Sequence, residues 1–195
     1  MDSQTRAFVF KHRGTLLALP AVGLAFGGKP SAFSIALGLP LAFLGEALRC
    51  WAVGYSGVTT RGDAVSAPAL ITAGPYAYAR NPLYVGNTIT AAGFAIAFTG
   101  RNSVAMRALL VATALAAVGG VYATIVPHEE AYLRETFGAG FDAYVASVPA
   151  AIPRTTPAEP QRGEYDPTVI ARAESRTFIT FGAMLAALAL KALRA

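Results

Sequence analysis

Long apolar runs alternate with short polar strings along this chain. Five runs are helix-length: Thr15 to Gly28, about Ala32 to Val53, Leu83 to Thr99, Val104 to Val126, and Thr177 to Leu193. Several sit at the short end of the roughly 17 to 25 residues that a helix needs to cross a bilayer. Lys29-Pro30-Ser31 and Arg101-Asn102-Ser103 predict tight turns, so runs one and two form one hairpin and runs three and four another. Residues Gly54 to Arg80 are too rich in glycine, proline and polar side chains to cross, and form the first segment outside the membrane. After the fourth run, Pro127 predicts a new short helix with Glu129 and Glu130 in its first turn, where carboxylates complement the macrodipole. Phe137-Gly138 predicts its end. Phe141, Tyr144, Val145 and Val148 then give the i, i+3, i+4, i+7 apolar face of a second short helix, lying on the membrane surface as a roof. Pro149, Pro153, Pro157 and Pro160 keep the following stretch irregular. The pattern predicts an all-α polytopic membrane bundle with about five transmembrane helices, capped by short helices and loops. No internal repeat divides residues 1–195, so the chain reads as one domain.

Composition supports the membrane reading. Hydrophobic residues make up 54% of the chain and charged ones only 14%, against roughly 25% in a soluble domain. Mean hydropathy is +0.47. The net charge of +5 does not point to nucleic acid, because the basic residues are scattered singly rather than striped along one face. They are ordered by topology instead. With Arg49 set aside inside a run, Lys29, Arg101, Arg107, Lys191 and Arg194 fall on one side and ten others, Arg61 among them, on the side of the amino terminus. The positive-inside rule makes the amino terminus cytoplasmic, and both functional strings with it.

Other signals are bland. The basic residues before Thr15 imitate a secretory signal, but Lys29-Pro30-Ser31 is a turn rather than a cleavage site, so a retained helix is expected. Cys50 stands alone, which rules out an intrachain disulfide and a thiolate cluster and leaves a packing role. His128 and His12 have no metal-binding spacing, and no metal is expected. Glu46 and Arg49, three apart, share a helix face and neutralise each other, as a structural pair or as a ligand contact.

The chemistry concentrates in two strings, Gly74 to Tyr84 and His128 to Gly138, each against a membrane-grade run. Polar groups at the mouth of an embedded bundle are costly unless partnered, so two clusters on one face mark a site for a polar ligand. Asn81 is a favoured N-cap and Pro82 a favoured first helical residue, which starts the third helix here. Its free backbone donors attract anions, and Arg80 adds a cationic fork suited to carboxylate or phosphate. Two readings of Arg80 stand on these residues alone: receptor for a ligand anion, or partner of lipid phosphate. Tyr76, Tyr78 and Tyr84 crowd the same junction, where tyrosines also serve as interface anchors.

Gly-Pro-Tyr, then Arg-Asn-Pro-x-Tyr, a hairpin, and Glu-Glu-x-x-Leu followed by Phe-Gly, Tyr and Val-Pro resemble the isoprenylcysteine carboxyl methyltransferase and phospholipid methyltransferase superfamily of integral-membrane enzymes. Leu48-Arg49-x-Trp51-Ala52 resembles the end of the preceding helix in bacterial members. The resemblance covers about residues 44–153, with the helix at about 177–193 additional. It implies an S-adenosylmethionine site contacted by Leu70 and Ile71 through backbone, by Tyr76, by Asn81, Pro82, Leu83 and Tyr84, and by Glu129, with Glu130 beside it. Arg80 and Glu129 are the principal polar residues expected to act, and Arg154 is a candidate substrate contact. Two departures shape the expectation. Many relatives have histidine at Asn81, so acid–base work there is not expected. Prenylcysteine enzymes carry an arginine at the position of Ile125, so the acceptor expected is a lipid or small hydrophobic molecule reaching the site from the bilayer. The alternatives at this level are a nicotinamide-dependent membrane reductase and a non-catalytic scaffold or transport component.

Overall fold

The computed structural model describes residues 3–57 and 67–194. Arg61, counted above, lies outside the described residues, as does the middle of the first extramembrane segment. The described residues form helices joined by turns and irregular chain, with no strand among them: α1 (Ser3–Gly27), α2 (Ala32–Ser56), α3 (Pro82–Phe98), α4 (Val104–Phe137), α5 (Ala139–Ser147), α6 (Ile170–Ala173) and α7 (Ser175–Leu193).

The two predicted hairpins are present, and their turns are tied together. Ser31 caps α2 by accepting from Ser34 N–H at 3.1 Å, while Ser34 Oγ accepts from Ser31 N–H at 2.9 Å. Asn102 bridges the turns: its Oδ1 accepts from Lys29 N–H at 2.7 Å and its Nδ2 donates to the Gly27 carbonyl at 2.9 Å. Lys191 Nζ, near the end of α7, donates to the carbonyls of Phe26 and Gly28 at 3.1 and 2.9 Å. The ends of α1, α3 and α7 and the starts of α2 and α4 therefore gather at one end of the bundle. Among the described residues, α1, α2, α3, α4 and α7 run from this end toward the other.

Small residues let α2 and α3 touch backbone to backbone. Gly38, Ala42 and Gly45 of α2 meet Gly86, Gly93 and Ala97 of α3, and a Cβ on Gly38 would overlap the Gly93 carbonyl and the Ala97 backbone. Such close approach drives helix association in lipid, where apolar burial alone does not. The outer faces are apolar: Phe33, Leu37 and Leu44 on α2, Leu109 on α4, and Ile179 and Leu190 on α7 are exposed. A belt of this extent would be untenable in water, and hydrocarbon is its natural surrounding. The helices α2, α4 and α7 are each long and apolar enough to cross a membrane, while α3 is a shorter apolar helix of 17 residues. The expectation of about five crossings therefore rests on the traversal of the bundle by α1 and α3.

Three boundaries differ from the sequence expectation, the first being that α1 already begins at Ser3, well ahead of Thr15. The second helix continues past Val53 to Ser56. More important, α4 runs without interruption through Pro127 to Phe137, so Glu129 and Glu130 do not open a helix. Proline removes one ladder bond, to the carbonyl four residues earlier, and the bonds on either side of it carry the helix through. Both glutamates thus sit in a helix interior, roughly 40 Å from the N-terminal end of α4, and gain nothing from its dipole. Phe137-Gly138 does end the helix, with Gly138 at φ 51°. Phe141, Tyr144 and Val148 are buried in one apolar cluster with Val145 packed against it, as their spacing predicts.

Candidate active site

The site is assembled at the end of the bundle opposite the turns. Gly74 adopts φ 60°, and the Tyr55 ring occupies the space a side chain there would need, so only glycine fits. The turn it opens, Gly74–Ala77, presents Tyr76, whose carbonyl accepts from Tyr144 Oη at 2.7 Å and so ties α5 to the loop. Desolvation pushes the Tyr76 phenol up to about 12 against the opposing effect of its bond with Ser56, and desolvation raises Tyr144 as well. Both are neutral hydrogen-bonding groups over the working range of any enzyme.

Arg80 and Asn81 follow, and the Pro-rich segment packs beside them. Arg80 N–H donates to the Pro149 carbonyl at 2.9 Å, and Asn81 N–H to Ala150 at 3.1 Å. Asn81 occupies the N-cap position of α3 but makes no side-chain cap; its Nδ2 donates instead to the Ala150 carbonyl at 3.0 Å. Tyr84 N–H already donates to the Asn81 carbonyl at 3.1 Å, which leaves Leu83 as the donor available at this helix start. The Arg80 guanidinium is engaged within the protein: Nε and Nη2 donate to Glu130 Oε1 at 2.9 and 2.8 Å, and Nη1 to the Val148 carbonyl at 2.5 Å. Arg80 therefore fastens α3, α4 and α5 together at the rim.

Across the site, Tyr84 Oη donates to Glu129 Oε1 at 2.6 Å, and its ring stacks on Tyr122 with centroids 4.2 Å apart. Deeper still, Arg49 Nη2 donates to Glu174 Oε2 at 2.7 Å and to Thr177 Oγ1 at 3.3 Å, Nη1 donates to Asn87 Oδ1, and Asn87 Nδ2 donates to Tyr122 Oη. Glu46 lies 3.7 Å from Arg49 Nε.

One cavity of about 670 Å³ joins these groups. Leu70, Ile71, Tyr76, Arg80, Asn81, Pro82, Leu83, Tyr84, Glu129 and Glu130 all line it, so the two polar strings meet as their sequence pairing suggests. Arg154 does not line it; its Nη1 donates to the Ser147 carbonyl at 2.8 Å and its N–H to Tyr78 at 3.0 Å, bracing the Pro-rich segment. Sequence reasoning missed Asn87, Tyr122 and Arg13, which line the cavity together with Glu174, and left Arg49 paired only with Glu46; for Glu174 it held open either closure of the site or solvation. Asn87 and Tyr122, polar groups within apolar runs, carried a usable signal. The pairing of Glu174 with Arg49 carried none, because the two are distant in sequence. Ile125 is fully buried in an apolar cluster with Phe10 and Val121, so no charge enters from that position.

The sequence model of the phospholipid methyltransferase family matches residues 33–140, more than half of the chain. The chain belongs to the phospholipid methyltransferase family. That membership makes it a membrane methyltransferase, and with three helices apolar enough to cross it is an integral membrane protein. The matched segment runs from α2 into α5 and contains Arg80, Glu129 and the floor residues Arg49, Asn87 and Tyr122; α1, the Pro-rich segment and α7 lie outside it. No curated protein and no solved structure matches the chain.

Proposed function

We propose that this phospholipid methyltransferase family member transfers a methyl group from S-adenosylmethionine to a lipophilic acceptor supplied by the bilayer. The observation that carries the proposal is the single cavity lined by both polar strings, with Tyr84 and Glu129 hydrogen-bonded across it. Its donor set suits the cofactor. Glu129 and the phenols offer acceptors to an amino group and a ribose, Leu83 N–H at the α3 start offers a donor to a carboxylate, and apolar Leu70, Ile71 and Pro82 supply flat contacts for a base. The volume is within the range of small-molecule sites.

When bound, the cofactor supplies a methyl group already activated by positive sulfur. The task left to the protein is alignment and exclusion of water. Tyr84 fixes the Glu129 carboxylate by donating to one oxygen, which leaves the other for the ligand. Arg80 acts through Glu130 and the α5 carbonyls to hold the roof in place, and Phe141 and Tyr144 present that roof's apolar face to the cavity. The positive-inside count supports a cytoplasmic position for this end and for the amino terminus.

The test is calorimetry of the purified protein with S-adenosylmethionine and with NADPH, followed by incubation with isotopically labelled S-adenosylmethionine and a membrane lipid extract. Saturable binding of the first ligand alone and a labelled lipid product are expected. Absence of both binding and labelled product would overturn the proposal.

A further inference from the structure

The hydrogen bonds on the cavity floor run in one direction only. A guanidinium carries donors and no acceptor, so the Asn87 group that faces Arg49 Nη1 is the Oδ1 carbonyl. That choice turns the amide nitrogen toward Tyr122, where Nδ2 donates and the phenol oxygen accepts. Glu174 Oε2 and Thr177 Oγ1 accept from the other guanidinium nitrogen, which anchors the chain of bonds on α7. Tyr122 is left with its own O–H hydrogen to place. Among the described residues Tyr122 Oη has no hydrogen bond besides the one it accepts from Asn87, and its contact with Tyr84 is a ring stack.

Tyr122 is 8% exposed and lines the cavity. It precedes Glu129 on α4 by two helical turns, about 10 Å deeper in the bundle, and Asn87 likewise lies deeper on α3 than Tyr84. The hydroxyl therefore serves the space beneath the residues that suit the cofactor. The wall around it is apolar, because Tyr122 packs with Phe10, Val118, Val121 and Ile125. A buried donor in such a wall selects a lipophilic molecule by one accepting atom, since a molecule lacking that atom leaves the donor unpaired. Charge narrows the choice. Arg49 is shared by two carboxylates, Glu46 and Glu174, so the floor has no surplus positive charge with which to hold an anion. An ammonium has no lone pair for the Tyr122 hydrogen.

We propose that Tyr122 is a specificity-determining contact of the methyl acceptor, donating its hydroxyl hydrogen to an uncharged oxygen of a lipophilic molecule: a hydroxyl, an ether or a carbonyl. Arg49 and Asn87 are positioning residues that act through it by fixing which way the hydroxyl points. The oxygen so held is an anchor rather than the atom methylated, because a donated hydrogen bond draws on the lone pair that displacement at the methyl carbon needs. The use of the contact in methyl transfer rests on the proposed function, whereas the direction of the hydroxyl does not.

The test uses the full chain in nanodiscs without cofactor. The probe is hexyl methyl ketone, isotopically labelled at its carbonyl carbon so that its infrared band stands apart from those of lipid esters. An accepted hydrogen bond lowers the carbonyl stretch, and a lowered band is expected with the unaltered protein. Tyr122→Phe should abolish that band and weaken probe binding by about fivefold, the scale of one neutral hydrogen bond. Asn87→Asp should abolish the band too, although the tyrosine remains: a carboxylate accepts from both Arg49 and Tyr122, which turns the hydroxyl away from the cavity. A merely structural asparagine would leave the band in place, since aspartate keeps Arg49 paired. Octanol should displace the ketone, and octylammonium and octanoate should not. Absence of a lowered band with the unaltered protein, or its persistence in Tyr122→Phe, overturns the contact. Persistence in Asn87→Asp overturns the control of its direction, and displacement by octylammonium or octanoate as readily as by octanol overturns the uncharged class. Because the band is read without turnover, failure of the methyltransferase reading would leave it in place, and methylation of a lipid extract by a protein that shows no such band would sink the contact alone.

Discussion

Glu174, immediately before α7, holds Arg49 of α2 at 2.7 Å although 125 residues of chain separate them. Their side chains are 1% and 7% exposed. Glu46 shares the same guanidinium at longer range. Removing one partner of a buried pair costs about 3–5 kcal/mol, whereas replacing both by apolar residues is far milder. Glu174→Ala should therefore destabilise by that amount. Arg49→Ala should cost more, because it removes the cation shared by two carboxylates, and Arg49→Met with Glu174→Leu should recover part of the loss. Thermal unfolding in detergent measures all three.

Glu129→Gln should weaken S-adenosylmethionine binding by about 1.5–3 kcal/mol, the range of a hydrogen bond to a charged group. Tyr84→Phe, which only releases the orientation of that carboxylate, should cost about 1 kcal/mol. Calorimetry on the two variants reads the difference, and equal losses would make Tyr84 itself a ligand contact.

Arg80→Lys should not substitute for arginine. The planar fork spans Glu130 and the Val148 carbonyl at once, which a lysine ammonium cannot do. Faster amide exchange across residues 139–150 is expected in both Arg80→Lys and Arg80→Ala, together with a higher KM for the cofactor.

Gly38→Leu should disrupt the α2–α3 contact outright, because its side chain would be driven into the backbone of Gly93 and Ala97. Overpacking of this kind costs about 1–3 kcal/mol even where neighbours can yield, and backbone yields least. Gly14→Ala, which faces open space inside α1, should stabilise by up to about 1 kcal/mol through helix propensity. Unfolding midpoints of the two variants test the contrast.

The Tyr76 phenol sits at about 12 in the fold and near 10 when unfolded. A raised value favours the protonated form in the folded state, so its contribution is intact below pH 10 and is lost between about pH 10 and 12. Alkaline unfolding should begin in that window, and Tyr76→Phe should postpone it. Tyrosinate absorbance followed against helix content gives the readout.

Local signals were legible in the sequence, and distant ones were not. Ser31, Asn81-Pro82 and Phe137-Gly138 mark real helix boundaries because caps and breakers act within a turn of where they stand. The apolar spacing of Phe141, Tyr144 and Val148 identified α5 for the same reason. Pro127 misled, since one missing ladder bond does not end a helix whose neighbours continue it. The roles of Glu174 and Arg13 were hidden because they depend on which helices pack side by side, and spacing within one helix carries no record of that. Arg80 lines the cavity, but its partners, Glu130 and the Val148 carbonyl, are set by tertiary contact.

The uninterrupted α4 has a mechanical meaning. A helix of 34 residues is a rod of about 50 Å, longer than the hydrocarbon slab, and Glu129 and Glu130 ride on its protruding arm. Bilayers of different thickness set such a rod at different tilts. The bonds from Tyr84 to Glu129 and from Arg80 to Glu130 fasten that arm to the start of α3, so the two helices tilt as one unit.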